Sequence, residues 1–255
     1  MKQYTYSHAI QIDTDKCIGC SHCMRVCPTE AIRIDGGHAR IQSVRCVDCG
    51  ECFRVCPQRA IYVKDDGLAS VKSSGYRIAL VPSIFIGQFP SDYSATRILE
   101  AVRQNGFDDV FEVEQAVDMV KSEYRLLENE IDQRPAITSF CPAVVRLIQV
   151  LYPSLTDQII RLKAPHDIAA LYLRKSKERQ GIPPSEIYIY YITPCAAKIV
   201  AARDPVAEKE SPIDGTIDMK IIYNLVSKII REDKNSGLHK SYATMSPDSV
   251  CWSLS

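Results

Sequence analysis

The pattern of apolar and polar residues predicts alternating strands and helices over most of the chain. From residue 76 onward, short apolar runs alternate with longer segments in which apolar residues recur every three or four positions, as on one face of a helix. The predicted strands are Tyr76–Val81, Asp109–Val113, Ala136–Thr138 and Glu186–Ile192. The predicted helices are Ser94–Asn105, Glu114–Ile131, Val144–Leu151, Asp167–Gln180 and Asp218–Arg231. This alternation predicts an α/β domain with a mainly parallel sheet.

The first part of the chain has shorter elements and a different organisation. Its predicted strands are Gln11–Asp13, Ala31–Ile34, Ala39–Ile41 and Ala60–Lys64. Gly36 and Gly37 predict a hairpin between the second and third strands, and the fourth strand is expected to pair with the first. The segment Asp65–Gly75 is polar and contains glycine, which is typical of a linker. We therefore expect two domains, residues 1–74 and residues 75–255.

A duplicated cysteine motif lies within the first domain. CIGCSHCMRVCP begins at Cys17 and CVDCGECFRVCP begins at Cys46, and both read C-x-x-C-x-x-C-x-x-x-C-P. The first three thiols of such a motif can face one cubane, whereas the fourth points the other way and binds the second cubane. One predicted [4Fe-4S] cluster is bound by Cys17, Cys20, Cys23 and Cys56, and the other by Cys46, Cys49, Cys52 and Cys27.

Two other interpretations of these eight cysteines are weaker. A disulfide framework is not expected to repeat one motif ending in Cys-Pro, and zinc ribbons use paired rather than triple cysteine knuckles. The segment from Gln11 to about Lys64 also resembles the bacterial two-cluster ferredoxins. The resemblance implies an α+β ferredoxin-like 2[4Fe-4S] domain.

Composition and charge limit the classes of partner. The chain has 255 residues, with 31 basic and 31 acidic side chains and a formal net charge of zero, so no overall basic field attracts nucleic acid. No apolar run approaches the roughly 20 residues of a membrane span, and residues 1–10 do not form a signal segment. Cluster thiolates without a leader predict a reducing cytoplasm, in an anaerobic cell.

Three further cysteines lie outside the duplicated motif. Cys141 and Cys195 each follow a predicted strand and adjoin a proline, and the carboxyl ends of parallel strands line the ligand crevice of an open sheet. Taken as single residues, they are more often buried free cysteines than metal ligands. Cys251 lies in the apolar run SVCWSLS and is interpreted as a core cysteine.

A family resemblance changes the interpretation of the second domain. The segments NGFDDVFEVEQAVDM, ITSFCPAVVRLIQVLYPSL, LKAPHDIAALY and YYITPCAAKIVAARDP resemble the catalytic domain of the [FeFe]-hydrogenases, over about Tyr76 to Ser255. In that family a [4Fe-4S] cubane shares a thiolate with a diiron unit that carries CO and cyanide. The resemblance implies that Cys141 and Cys195 are cubane ligands and that Lys198 donates a hydrogen bond to a diiron cyanide.

The chain departs from the family pattern at three places. Phe140 occupies the position of a proton-relay cysteine, and Thr193 occupies that of a methionine. The third cysteine motif of the family is absent from the sequence. We therefore expect the second domain to be incomplete at its C-terminus, and a hydrogenase-type cluster only in an intact protein. Whether the chain is an enzyme stays open.

Three functions are consistent with these features. The first is electron transfer through two clusters to or from a hydrogenase-type site, with the intact form acting as a slow or sensory hydrogenase. The second is a non-hydrogenase relative that acts in iron–sulfur protein assembly. The third is a ferredoxin-type electron-transfer subunit that docks a partner reductase. The first and third imply a redox partner protein, either a ferredoxin or a reductase.

Overall fold

A computed structural model describes residues 7–118, 121, 125, 135–160, 162–205 and 210–235. The cysteine-rich domain (residues 7–64) contains two short antiparallel sheets and two five-residue helices. Its strands are β1 (Ile10–Ile12), β2 (Ile32–Asp35), β3 (His38–Ile41) and β4 (Ile61–Val63). Its helices are α1 (His22–Val26) and α2 (Glu51–Val55). β1 pairs with β4 and β2 pairs with β3, as the sequence predicts.

Strands and helices alternate in the α/β domain (residues 76–235). The strands are β5 (Tyr76–Val81), β6 (Asp109–Glu112), β7 (Ile137–Thr138), β8 (Ile159–Ile160), β9 (Ile187–Thr193) and β10 (Gly215–Asp218). The helices are α3 (Ser83–Ile86), α4 (Ala95–Arg103), α5 (which includes residues 115–118), α6 (Pro142–Leu151), α7 (Pro165–Arg179), α8 (Ala196–Arg203) and α9 (Met219–Asn235). Four strands form a parallel sheet in the order β10-β9-β5-β6, which confirms the predicted parallel sheet.

The central strands of this sheet are buried on both faces. Val81 of β5 packs in one core with Val102 of α4, whereas its neighbour Leu80 packs in the opposite core with Leu173 of α7. β9 is divided between the two cores in the same way. Burial on both faces explains why these strands are continuous apolar runs without polar alternation.

Strand β10 is absent from the sequence-based prediction. It has four residues, of which only Ile217 is a large apolar side chain, and α9 follows it directly. Its place in the sheet comes from pairing with β9, from Gly215 opposite Tyr190 to Asp218 opposite Thr193. Tertiary pairing therefore specifies this strand more than its local sequence does.

The predicted linker is hydrogen-bonded to the α/β domain. The Asp66 carboxylate accepts hydrogen bonds from the backbone N–H of Thr216 at 2.8 Å and from the guanidinium of Arg203 at 3.0 Å. The Lys72 N–H donates to the hydroxyl of Tyr190 at 2.9 Å. These contacts hold the segment against β9, β10 and α8. The domain boundary between residues 74 and 75 stays a prediction.

Two sequence-based predictions lie partly or wholly beyond the described residues. Within the predicted helix Glu114–Ile131, residues 115–118, 121 and 125 are helical, and the remainder of its C-terminal part is not described. Cys251 lies outside the described residues. Among the helices of the described ranges, none combines the length and the apolar character needed to cross a bilayer.

Candidate metal centres

The eight cysteines of the duplicated motif line two separate cavities. The lining of the first cavity includes Cys17, Cys20, Cys23 and Cys56. The lining of the second includes Cys27, Cys46, Cys49 and Cys52. Each cavity thus combines three cysteines of one motif with the fourth cysteine of the other. This grouping is the one that the sequence predicts for two cubanes.

The backbone of the two cysteine loops follows the same unusual conformation. Gly19 and Ser21 of the first loop have φ angles of 67° and 64°, and the equivalent Asp48 and Gly50 of the second have 50° and 85°. Positive φ is costly for residues with a side chain. A Cβ on Gly19 would lie 2.5 Å from the carbonyl oxygen of Gly37, so this position has no room for a larger residue.

Backbone N–H groups donate hydrogen bonds to three of the sulfurs. Ala31 donates to Cys27 at 3.2 Å, and at the equivalent place in the second repeat Ala60 donates to Cys56 at 3.3 Å. A third bond, also 3.3 Å long, runs from the Ala39 N–H to Cys17. Such bonds stabilise the thiolate form and tune the potential of a bound cluster.

Burial favours the neutral form of several thiols. It raises the pKa of Cys46 to about 12, with the Asp48 carboxylate acting in the same direction, and it raises that of Cys52 to about 12 as well. Burial also raises the pKa of Cys23 and of Cys49. A metal that binds these thiols must displace their protons, so metal binding is linked to proton release and to folding.

A buried polar group lies beside the second cavity. The Asp48 carboxylate accepts hydrogen bonds from the N–H groups of Ala9 and Ile10, both at 3.2 Å, and its Oδ2 lies 2.7 Å from Nδ1 of His8. The ligand atoms of His8, Asp48 and Cys46 all lie within 4.8 Å of one another. Sequence reasoning missed this group, although an aspartate where the first motif has Gly19 is a detectable difference between the repeats.

Cys141 and Cys195 lie in the α/β domain and line neither cavity. Cys141 precedes α6 and is exposed, whereas Cys195 precedes α8 and is half-buried. The Cys195 N–H donates to Oγ1 of Thr193 at 3.2 Å. Since α6 and α8 pack against each other, the two cysteines begin neighbouring helices.

Lys198 belongs to a buried polar and aromatic cluster. Its Nζ donates to the Tyr191 hydroxyl at 3.3 Å, and the His166 ring stacks on the Tyr191 ring with centroids 4.8 Å apart. Burial lowers the pKa of His166 to about 3, and the positive charge of Lys198 adds to this effect. His166 is therefore neutral at physiological pH. Sequence reasoning identified Lys198 but missed Tyr191 and also His166, which lies 25 positions before Tyr191 in the chain.

The two domains share a hydrophobic core next to the cysteine loops. Ala196, Ile199 and Val200 of α8 belong to the same buried cluster as Cys23 and Cys52. This packing places the helix that begins after Cys195 against the cysteine-rich domain.

Comparisons with protein families agree with this arrangement. Residues 78–240 match the model described as "Iron only hydrogenase large subunit, C-terminal domain". Residues 9–72 match the "4Fe-4S dicluster domain" model. The chain is similar to solved [FeFe]-hydrogenase structures, one titled for stepwise H-cluster assembly (TM-score 0.51) and one a variant from Chlamydomonas reinhardtii (TM-score 0.50). Both are 24% identical and cover 64% of this chain and 45% of theirs, which supports the fold alone.

Curated relatives are also iron hydrogenases. The chain is 30% identical over 244 residues to the periplasmic [Fe] hydrogenase large subunit of Nitratidesulfovibrio vulgaris, covering 87% of this chain and 58% of the relative. It is 29% identical over 143 residues to iron hydrogenase 1 of Clostridium pasteurianum, covering 54% of this chain and 25% of the relative. The chain thus spans less than two thirds of either relative. With its family match over residues 78–240, this chain belongs to the iron-only hydrogenase large-subunit family and carries an iron–sulfur 4Fe-4S domain.

Proposed function

We propose that this protein transfers electrons between a redox partner protein and a hydrogenase-type α/β domain through two [4Fe-4S] clusters. The proposed ligands of the first cluster are Cys17, Cys20, Cys23 and Cys56, and those of the second are Cys27, Cys46, Cys49 and Cys52. The observation that carries the proposal is the composition of the two cavities. Each has four thiols, three from one motif and one from the other.

The chemistry of the donor set suits iron–sulfur clusters. All eight donors are thiols, and soft thiolate ligands select iron–sulfur clusters, zinc or Cu(I) among metal centres. When bound, each cluster accepts and releases one electron, at a low potential that thiolate ligation favours. The N–H groups of Ala31, Ala39 and Ala60 orient three of the sulfurs and limit how negative the potential becomes.

The surroundings of the two cavities suggest an order for the electron path. The first cavity opens beside Ile18, whose side chain is 63% exposed and suits contact with a partner protein. The second cavity lies close to Arg146 of α6, which donates a hydrogen bond to the Ser43 carbonyl at 3.3 Å. We infer that electrons are exchanged with the partner at the first cluster and with the α/β domain at the second.

The proposal extends to the α/β domain in a protein that supplies the remaining ligands. There, Cys141 and Cys195 would hold an active-site cubane, and Lys198, whose Nζ donates to the Tyr191 hydroxyl, would supply a hydrogen-bond donor to the diiron unit. Phe140 cannot transfer a proton, so such a protein is expected to turn over hydrogen slowly and to act as a sensor. Infrared bands of CO and cyanide would support this extension. A cubane without those bands would favour the assembly-type relative.

Iron and acid-labile sulfide content after anaerobic reconstitution tests the proposal. About eight irons and eight sulfides per chain are expected for two cubanes. About twelve irons would mean that a third cubane forms in the α/β domain. About four, or zinc in place of iron, would contradict the proposal.

A further inference from the structure

Arg146 is a buried cation that the α/β domain places against the loop that leads into the second cavity. It lies on α6, and only 8% of its surface is exposed. Its Nη2 donates to the carbonyl oxygen of Ser43, in the loop that leads to Cys46, at 3.3 Å. The same carbonyl lies 3.0 Å from Nε2 of His8. A side chain of one domain is thus fixed against the loop that carries a proposed cluster ligand of the other.

The charge of Arg146 acts on this cavity. The guanidinium is held at the Ser43 carbonyl, three residues before Cys46, and Cys46 lines the second cavity. A cation fixed near a cluster stabilises the negative charge that the cluster gains on reduction. Because the guanidinium is buried, solvent and salt screen it less than they screen a surface arginine.

Other charged groups also lie near the second cavity. Asp48 is 3% exposed and carries a carboxylate held by the backbone of β1 and by His8. Glu51 begins α2 and is paired with an exposed arginine. The half-buried Arg45 is a second cation near this cavity, because its Nε donates to the carbonyl oxygen of Thr29, which lines the cavity, at 2.7 Å. Arg146 differs from Arg45 in being buried and in belonging to the α/β domain.

We propose that Arg146 is a redox-tuning residue that raises the reduction potential of the second cluster and leaves that of the first unchanged. The inference rests on the proposed function, because it requires clusters in both cavities. Its consequence is that the α/β domain sets the potential of the cluster with which it exchanges electrons. The helix that carries Arg146 also begins after Cys141, so the tuning residue and a proposed active-site ligand belong to one rigid element.

Redox titration of the reconstituted full chain, followed by EPR, tests this inference. R146Q removes the charge and is expected to shift one of the two midpoint potentials to a more negative value. R146K keeps the charge and is expected to retain most of the wild-type potential. R103Q is the matched control, since Arg103 is an exposed arginine of α4 paired with Glu100 and lines neither cavity. It should move neither potential.

D48N provides a second test with the opposite sign. Removing this buried carboxylate should shift the potential of the same cluster to a less negative value, and the D48N/R146Q double variant should return it towards the wild type. Equal shifts of both clusters, or no shift in R146Q at full iron content, would overturn the inference. An iron content well below about eight in the wild type would instead contradict the proposed function.

Discussion

The backbone N–H of Ala60 donates a hydrogen bond to the sulfur of Cys56 at 3.3 Å, although Cys56 lines the cavity formed by the other motif. Ala31 makes the equivalent bond to Cys27 at 3.2 Å. In each repeat the chain therefore turns after Cys-Pro and fixes the fourth sulfur with its own backbone. The two cavities are built jointly, so neither motif is expected to hold a complete cluster alone.

In the proposed ligation, which we call crossed, each cluster is bound by three cysteines of one motif and the fourth cysteine of the other. This arrangement predicts the iron content of double cysteine variants. Cys20→Ala and Cys56→Ala should each remove the first cluster, and the double variant should lose no more iron than either single variant, about half of the total. Cys20→Ala combined with Cys49→Ala should lose nearly all iron, since the two thiols line different cavities. Iron per chain after reconstitution gives the answer.

Ile18→Ala is the control for this series. Ile18 lines the first cavity beside Cys17 but offers no ligand atom, so the variant should keep the wild-type iron content. If the Cys49→Ala/Cys56→Ala double variant lost only about half of the iron, whereas the Cys20→Ala/Cys56→Ala double variant lost nearly all of it, the ligation would not be crossed.

The glycines of the two cysteine loops are expected to differ in how well they tolerate substitution by alanine. Gly19→Ala places a Cβ 2.5 Å from the Gly37 carbonyl oxygen, whereas the space around Gly50 is open. Both residues have positive φ, which alone costs about 1–2 kcal/mol for alanine. Gly19→Ala should therefore destabilise the cysteine-rich domain clearly more than Gly50→Ala. Anaerobic denaturant unfolding, followed by cluster absorbance, compares the two. Equal midpoints would contradict the predicted clash.

The buried His166 is expected to make the α/β domain less stable at acidic pH. Burial lowers its pKa to about 3, against about 6.5 in an unfolded chain, so the unfolded state binds more protons between these values. The contribution of neutral His166 to the free energy of unfolding is therefore fully present above pH 6.5. Below that pH it falls by up to about 1.4 kcal/mol per pH unit.

His166→Phe can still stack on Tyr191 but cannot bind a proton. Between pH 6.5 and pH 5 its free energy of unfolding should fall less steeply than that of the wild type, with the difference measured by denaturant unfolding at each pH. Parallel pH dependences for the two proteins would show that His166 is not the group responsible.

The hydrogen-bonded connection predicts that Asp66 contributes to stability. Its carboxylate accepts bonds from Thr216 and Arg203, so Asp66→Ala leaves a partly buried guanidinium without this acceptor. A loss of about 1–3 kcal/mol is expected. Thermal unfolding should show this loss. Asp35 is exposed and pairs with the exposed Arg40, so Asp35→Ala should cost well under 1 kcal/mol. Similar losses for the two variants would mean that the connecting segment is not anchored through Asp66.

The sequence predicts features that depend on local pattern. Tyr76–Val81 is predicted with its observed bounds because an apolar run ended by a proline specifies a buried strand. The predicted grouping of the eight cysteines follows from the reach of thiols at fixed spacing. The two cavities bring the same thiols together, and the ligation of clusters by these thiols stays a prediction. These features need no knowledge of residues far along the chain.

Features that depend on distant contacts were not predictable in this way. Strand β10 is specified by its pairing with β9. The position of Arg146 beside Ser43, 103 positions away in the chain, follows from the docking of α6 against the cysteine-rich domain. His166 and Tyr191 form their stack through the packing of α7 on the sheet. A single sequence contains no local signal for these pairs.

A reductive titration under anaerobic conditions, with EPR at each step, tests the central claim most directly. Two clusters in one small domain should take up about two electrons per chain and give the signals of two interacting cubanes. Uptake of about one electron with the signal of an isolated cluster, in protein that is fully loaded with iron, would contradict electron transfer through a pair of clusters.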